Sequence, residues 1–345
     1  MRKSRWVTTM ADIGRVTLGM LAFWWRRVTP GWAAQSMIRL FCTTGGRSSD
    51  ILAAMVRLLH PARPLGGTDG VLGPLDNSAV EHIGATLRER GYHVFERRLP
   101  GELCDRLVQF AITQEAVVRP REGEAASQRT AVYEPARPLA VRYDFPDSVL
   151  INQPDVQALL ADPTLLSVAQ EYLGTEPIVD VVAMWWHTAF SSQPDAEAAQ
   201  YYHFDMDRIK WLKFFIYLTD VEPGSGPHSF IAGSHRTGAI PRALLDKGYA
   251  RLTDQEVESH YAAGDFVEFT GSRGTILAED TRGLHKGKHV ECGHRLVLQI
   301  QFSNSLFGAT YAQTRFREVH DERLTRMVER FPRVYSNYIR RANAT

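Results

Sequence analysis

The spacing of apolar positions changes character along the chain. The first 75 or so residues read as helical, broken at Pro30-Gly31 and Gly45-Gly46 and closed by Pro61, Pro64, Gly66-Gly67 and Gly70, which mark a boundary. Beyond it, Asn77-Ser78 start a predicted helix through Arg90, with Gly91 where helices end. Tyr92, Val94 and Phe95 predict a short strand, and a helix from about Glu102 to Glu115 follows Pro100-Gly101. Further helices are expected over Asn152 to Leu160 and Pro163 to Leu173, stopped by Gly174. After Pro177 the pattern shifts to short β-branched and aromatic runs: Ile178 to Phe190, Trp211 to Leu218, Phe266 to Phe269, Gly274 to Ala278 and Leu296 to Phe302. Strands so spaced predict a barrel or a sandwich. A helical period returns from Arg317 to Tyr335, through Val319, Leu324, Met327, Val328 and Phe331, and is expected to pack outside the sheet.

One stretch fits neither period. Arg119 to Arg142 is polar and carries Arg119, Arg121, Arg129, Arg137 and Arg142; it reads as a lid or as a solvated surface loop. There is no internal repeat or low-complexity tract.

Composition narrows the class. With 345 residues, 44% hydrophobic and 23% charged, the chain can bury a sizeable core without disulfides or a structural metal. A net charge of +1 gives no global field for nucleic acid, and none is expected as a partner. Cys42, Cys104 and Cys292 are distant and in no CxxC spacing, which favours ordinary thiols, a reducing compartment and a cytoplasmic location. Val16 to Trp25 (VTLGMLAFWW), followed by Arg26 and Arg27, is too short to span a bilayer, which takes about 20 apolar residues. A signal peptide fits poorly, since Asp12 and Arg15 interrupt the apolar region. Residues 16–27 are either a helix packed on the domain or a weak interfacial contact with the inner face of a membrane.

The chemistry concentrates in YYHFDMDRIKWLKFFIYLTD, where His203 and Asp205 stand two apart in an extended stretch and leave the same face. An imidazole and a carboxylate on one face make two-thirds of the 2-His-1-carboxylate triad that binds non-haem iron(II) and leaves adjacent positions open. A chance His-x-Asp is expected roughly 0.7 times in such a chain. The later segment AEDTRGLHKGKHVECGHRLVLQIQF adds His285 after a strand and Arg295 at the start of the next. From Arg295 onward Val297, Gln299 and Gln301 share one face, while Leu296, Leu298, Ile300 and Phe302 take the other. An arginine at the mouth of a polar face needs an anion, and its planar fork matches a carboxylate.

Over roughly residues 80 to 310 the chain resembles the phytanoyl-CoA dioxygenase family of iron(II)/2-oxoglutarate oxygenases, through HFD, through LTDVEPGSGPHSFIAGSHR with Gly226-Pro227 and Gly233-Ser234-His235, and through HKGKHVECGHR. The resemblance implies a mainly β fold with flanking α, a double-stranded β-helix (a jelly-roll, cupin-like barrel), and iron held inside by His203, Asp205 and His285. It implies 2-oxoglutarate with its far carboxylate on Arg295, O2 as oxidant, succinate and CO2 as products, and ascorbate as a candidate reductant. Because an aspartate fills the carboxylate position, hydroxylation is favoured over halogenation. The chain departs from the family at Gly287, where many members carry a small hydroxyl residue; Thr281, Lys213 and Gln299 are candidates for the remaining co-substrate contacts.

Other residues bear on the substrate. His187, in MWWHTAF, is either a core residue or a substrate contact; Arg142 with Tyr143, and Arg208 with Asp207 and Lys210, are either substrate contacts or surface ion pairs. The excess of arginine hints at an anionic small molecule. His228 and His235 are expected to make backbone hydrogen bonds, and His289 and His294 to be solvated.

The expectation is a helical extension (1–75), an oxygenase domain (76–316) and a C-terminal helix (317–345), acting as an iron(II)- and 2-oxoglutarate-dependent dioxygenase on a small molecule, with oligomeric state open. The alternatives are a cupin-like metal-dependent sugar isomerase or epimerase, which would not need Arg295, and a non-catalytic binding module, which would have lost a ligand.

Overall fold

A computed structural model describes residues 2–119 and 129–339, with the backbone alone for residues 2–6. Arg121, counted in the polar stretch, lies outside the described residues. Three helices lead: α1 (Arg2–Arg26), α2 (Gly31–Thr44) and α3 (Arg47–Leu59). A two-residue hairpin follows, β1 (Asp69–Gly70) with β2 (Gly73–Pro74), and then α4 (Asn77–Arg90). Its cap is Asp76, one residue ahead of the expected pair, with the carboxylate accepting from the Ala79 amide; Gly91 closes it at φ +85°. β3 (Tyr92–Val94), α5 (Gly101–Thr113), α6 (Asp147–Leu150), α7 (Pro154–Leu160) and α8 (Pro163–Leu173) come next, interleaved with the edge strands β4 (Ala116–Val118), β5 (Thr130–Ala131) and β6 (Arg142–Asp144).

The remaining strands are β7 (Ile178–Thr188), β8 (Trp211–Tyr217), β9 (His228–Ile231), β10 (Phe266–Phe269), β11 (Ile276–Glu279), β12 (His285–Gly287) and β13 (His294–Ser303). Of all the strands described, eight form an antiparallel sheet in the order β3-β11-β8-β13-β7-β6-β4-β5, and three form a second sheet, β10-β9-β12. The fold is mainly β, of the jelly-roll type, with flanking helices and an N-terminal helical part.

The alternation read in the sequence sorts the large sheet into two faces. Leu212, Phe214 and Ile216 of β8 and Leu296, Leu298, Ile300 and Phe302 of β13 pack in one core with Leu107, Val156, Leu165 and Leu166 of the helices. The opposite residues, Phe215, Tyr217, Val297, Trp185 and Leu277, meet Phe230 and Phe269 of the small sheet. Between the sheets the large one presents Lys213, Glu279, Arg295 and Gln299 from that same polar face.

A third core ties the N-terminal helices to the metal-bearing segment. Val16, Ala33, Met37 and Phe41 pack with Tyr202, Phe204 and Met206, and the Phe41 and Phe204 rings lie 5.2 Å apart. α1 approaches α2 where Gly19 faces Ala33, with no room for a Cβ.

Two expectations change. Within Arg119 to Arg142 a few described residues join the sheet: β5 pairs with β4, and Arg142 opens β6, which pairs with β4 and β7. The C-terminal helix is short, Glu322–Arg330, and what anchors that end is a turn in which Phe331, Val334, Tyr335 and Tyr338 are buried against α7 and β7 neighbours. No helix among the described residues is long and apolar enough to cross a membrane.

Candidate metal centre

His203 and Asp205 sit on an extended segment outside any ladder, between β7 and β8. Antiparallel bridges hold it on both sides: the His203 amide donates to the His285 carbonyl at 3.0 Å and the His285 amide returns the bond at 2.9 Å, while Tyr202 exchanges a pair with Leu252. Two residues on, the Asp205 amide donates to the Thr281 carbonyl at 2.7 Å. The pleat turns residues 203 and 205 inward and sends Tyr202, Phe204 and Met206 to the apolar core behind.

The donor atoms of His203, Asp205 and His285 all lie within 4.8 Å of one another, and all three residues are buried. Each imidazole is fixed by its Nδ1, facing the Tyr201 carbonyl at 2.9 Å and the Gly283 carbonyl at 3.0 Å. A carbonyl can only accept, so the proton sits on Nδ1 and Nε2 keeps a free lone pair. Those lone pairs point at the carboxylate, with Nε2 to oxygen distances of 3.7 Å from His203 and 3.4 Å from His285. Burial, and then the neighbouring His285, hold His203 well below the ordinary histidine range, so it stays neutral. Two imidazole nitrogens and a carboxylate thus converge, an arrangement of donor atoms that a divalent cation satisfies. The donor set fits iron(II).

Lys213 braces the carboxylate. Its Nζ donates to Asp205 at 2.6 Å and reaches Asp207 at 3.0 Å. Burial is the largest single influence and raises the carboxyl, but Lys213 and the two neighbouring imidazoles together outweigh it and hold Asp205 well below the usual carboxylate range. Asp207, left with the weaker share, is pushed up by burial. Thr281 is engaged elsewhere: its hydroxyl accepts from the Trp211 indole at 2.8 Å while its carbonyl holds Asp205, which makes it a positioning residue for the ligand.

Arg295 is 1% exposed. Its guanidinium donates to the Gly226 carbonyl, to His187 Nδ1 at 2.8 Å and to the Tyr217 hydroxyl, and its Nε has no partner. No carboxylate pairs with it among the described residues, and burial pulls its pKa down. A buried, uncompensated cation with an idle donor asks for an anion from outside. Gly287 leaves the space: a Cβ there would sit 3.2 Å from an Arg295 terminal nitrogen and 3.3 Å from the His187 ring. Gln299, on the same strand face as Arg295, is buried and makes no hydrogen bond among the described residues.

The residues expected to meet substrate are redistributed. Arg208 is 4% exposed and pairs through two nitrogens with Asp180 at 2.7 Å each, so it is a core ion pair and not a substrate contact. Arg142 is bound to Asp144, which also takes Arg119, and stacks on Trp185 at 4.6 Å; its charge is neutralised within the strand. His187 is buried against Arg295. Lys210 is also committed, to the Tyr172 carbonyl and ring. His235 makes the expected backbone contact, 3.1 Å from the Arg88 carbonyl. His294, expected in solvent, instead packs on Trp186 and Tyr133.

Sequence reasoning missed His228 and Glu279. The His228 ring stacks 5.5 Å from His285 and 4.6 Å from Phe215, and its Nε2 lies 2.8 Å from a Glu279 oxygen, out of hydrogen-bond alignment. Burial pushes Glu279 up to about 8 and holds His228 well below the ordinary histidine range, so both stay neutral beside the metal ligands. The signal available was a glutamate ending the apolar strand ILAE. Also missed were Tyr249, stacked on Phe204, Tyr311, bonded to Asp207, and exposed Arg251, whose charge reaches His203.

A surface groove of about 970 Å³ between the end of α3, the Pro61 to Gly67 loop, α4 and α8 includes none of these residues.

The profile of phytanoyl-CoA dioxygenase (PhyH) matches residues 87–291. Among solved structures, EctD from S. alaskensis with bound Fe is 20% identical over 73% of this chain and 88% of its own, with a TM-score of 0.49. The non-heme alpha ketoglutarate dependent epimerase SnoN from nogalamycin biosynthesis is 18% identical over 72% and 89%, with a TM-score of 0.48. The carbocyclase SnoK from the same biosynthesis is 16% identical over 76% and 94%, with a TM-score of 0.47. No curated protein matches the sequence at a significant level. The profile covers more than half of the chain and includes the His203, Asp205 and His285 segments, and the chain belongs to the phytanoyl-CoA dioxygenase family of iron(II)- and 2-oxoglutarate-dependent dioxygenases.

Proposed function

We propose that His203, Asp205 and His285 hold the iron of this dioxygenase, that Arg295 receives the far carboxylate of 2-oxoglutarate, and that the reaction is hydroxylation of a small organic metabolite with release of succinate and CO2. One observation carries the reading: two imidazole nitrogens and a carboxylate converge within 4.8 Å, each oriented by a bond on its far side. Bound iron supplies oxygen activation coupled to decarboxylation of 2-oxoglutarate. The chain's own work is positioning. Lys213 keeps Asp205 ionised and aimed. Arg295, with Tyr217 and His187 around it, offers the charged end of the co-substrate pocket, and Gly287 and Gln299 leave it space and an amide. His228, Phe215 and Glu279 form a neutral wall that keeps bulk water from the ligands.

The primary substrate enters past Tyr249, Tyr311 and Arg251. With Arg208 paired to Asp180 and Arg142 held on Asp144, exposed Arg251 favours an anionic group on it. A metal isomerase would have no use for the unpaired guanidinium of Arg295, which favours the oxygenase reading.

The test is spectroscopic. Anaerobic iron(II) with 2-oxoglutarate is expected to give a metal-to-co-substrate absorption band in the wild type, and Asp205→Ala is expected to abolish it. Iron-loaded protein with no band and no succinate release under oxygen would refute the proposal. Screening anionic metabolites for stimulated succinate formation identifies the substrate.

A further inference from the structure

α1 has two unlike faces. Val16 is buried, Gly19 abuts Ala33, and Met20 and Phe23 pack on the core shared with Phe204. On the opposite side, at helical spacing, Val7, Met10, Leu18, Leu21 and Trp25 are all exposed, Trp25 to 80%. Trp24 and Trp32 are exposed beside them. The inner face alone accounts for packing on the domain, and the outer stripe has no partner among the described residues.

Charge chooses the partner. Residues 1–60 hold nine basic and two acidic residues, a net +7 in a chain of net +1. Both acids are taken internally: Asp12 is 3% exposed and bonded to Arg39 and Ser36, and Asp50 contacts Arg282 and Thr237. Exposed Arg15 and Arg26 lie on one flank of the stripe. A second copy would bring another +7 against this one, whereas an anionic lipid surface offers the opposite sign and a boundary where indole rings are at home. The helix cannot cross, because its apolar run is too short and Arg15 stands within it.

We propose that the outer face of α1 docks the enzyme flat on an anionic lipid surface, with Leu18, Leu21, Trp24 and Trp25 in the headgroup boundary and the flanking arginines on lipid phosphates.

The full iron-loaded chain is expected to sediment with vesicles containing phosphatidylglycerol at least about tenfold more strongly than with phosphatidylcholine vesicles, and to release in high salt. Its tryptophan emission is expected to shift to the blue on binding. Trp24→Ser with Trp25→Ser, and separately Arg15→Glu with Arg26→Glu, are each expected to lower binding about tenfold or more while leaving the iron and 2-oxoglutarate absorption band unchanged. Equal binding to both vesicle types, or to neither, would overturn the proposal. So would a concentration-dependent dimer dispersed by the tryptophan substitutions, which would make a second copy the occupant.

Discussion

Arg295→Met separates binding from stability, because the two are expected to move in opposite directions. In the free enzyme the guanidinium is 1% exposed with no carboxylate partner among the described residues. Removing it gives up three neutral-acceptor hydrogen bonds, to Gly226, His187 and the Tyr217 hydroxyl, which contribute about 1 kcal/mol each. It also removes an uncompensated buried charge, whose desolvation costs several kcal/mol in real proteins. The variant without co-substrate is therefore expected to melt at or above the wild-type temperature. Binding of 2-oxoglutarate loses a bidentate, charge-assisted contact of about 3–5 kcal/mol, or at least about 100-fold in Kd. Anaerobic titration of the iron and 2-oxoglutarate absorption band measures the affinity, and differential scanning fluorimetry with and without 2-oxoglutarate measures stability. Arg295→Lys keeps the charge without the fork and is expected to fall between. A Kd within about threefold of wild type, or a variant that melts well below it in the absence of co-substrate, would refute the reasoning.

Asp147 gives a pH-dependent prediction: burial, and then Asp180, raise its carboxyl to about 7, and one of its oxygens has no hydrogen-bond partner. The folded state holds a proton that the unfolded state has released by about pH 4, so stability falls as pH climbs from about 4 to 7 and then levels off. Asp147→Asn is expected to be more stable than wild type by on the order of 2 kcal/mol at about pH 8 and nearly equal at about pH 4, read by urea unfolding; equal differences at both pH values would contradict it. Phe204→Ala empties a 2% exposed site between two ligands, and is expected to cost about 3–4 kcal/mol of stability and to weaken iron(II) binding; unchanged metal affinity would show that the apolar backing does not hold the segment. Gly287→Ala is expected to raise the KM for 2-oxoglutarate a few-fold and Gly287→Leu to abolish its binding, because even a Cβ meets Arg295 at 3.2 Å; a Leu variant with normal KM would show that the pocket lies elsewhere.

The parts of the site legible in the sequence are those governed by the two-residue period. His203 and Asp205 share a face because they are two apart, and Arg295 faces Gln299 for the same reason. Arg142 and Asp144 are also two apart on one strand, so their pairing could have been read the same way. What the period cannot supply is the distant partner. Arg208 finds Asp180 from 28 residues away, and His228 finds Glu279 only once two sheets face each other. The strands β4, β5 and β6 escaped notice because each is two or three residues long, too short to show a period, and is defined by its pairing, β6 with β7, β4 with β6 and β5 with β4.

The core that joins Met37 and Phe41 to Tyr202, Phe204 and Met206 makes the front helices and the metal segment one inherited unit. A substitution at Phe41 reaches the iron ligands through a single ring, without touching either of them. Transplanting the barrel onto a different front end would therefore expose the underside of His203 and Asp205 to water, so this part of the chain can diversify only in step with its catalytic centre.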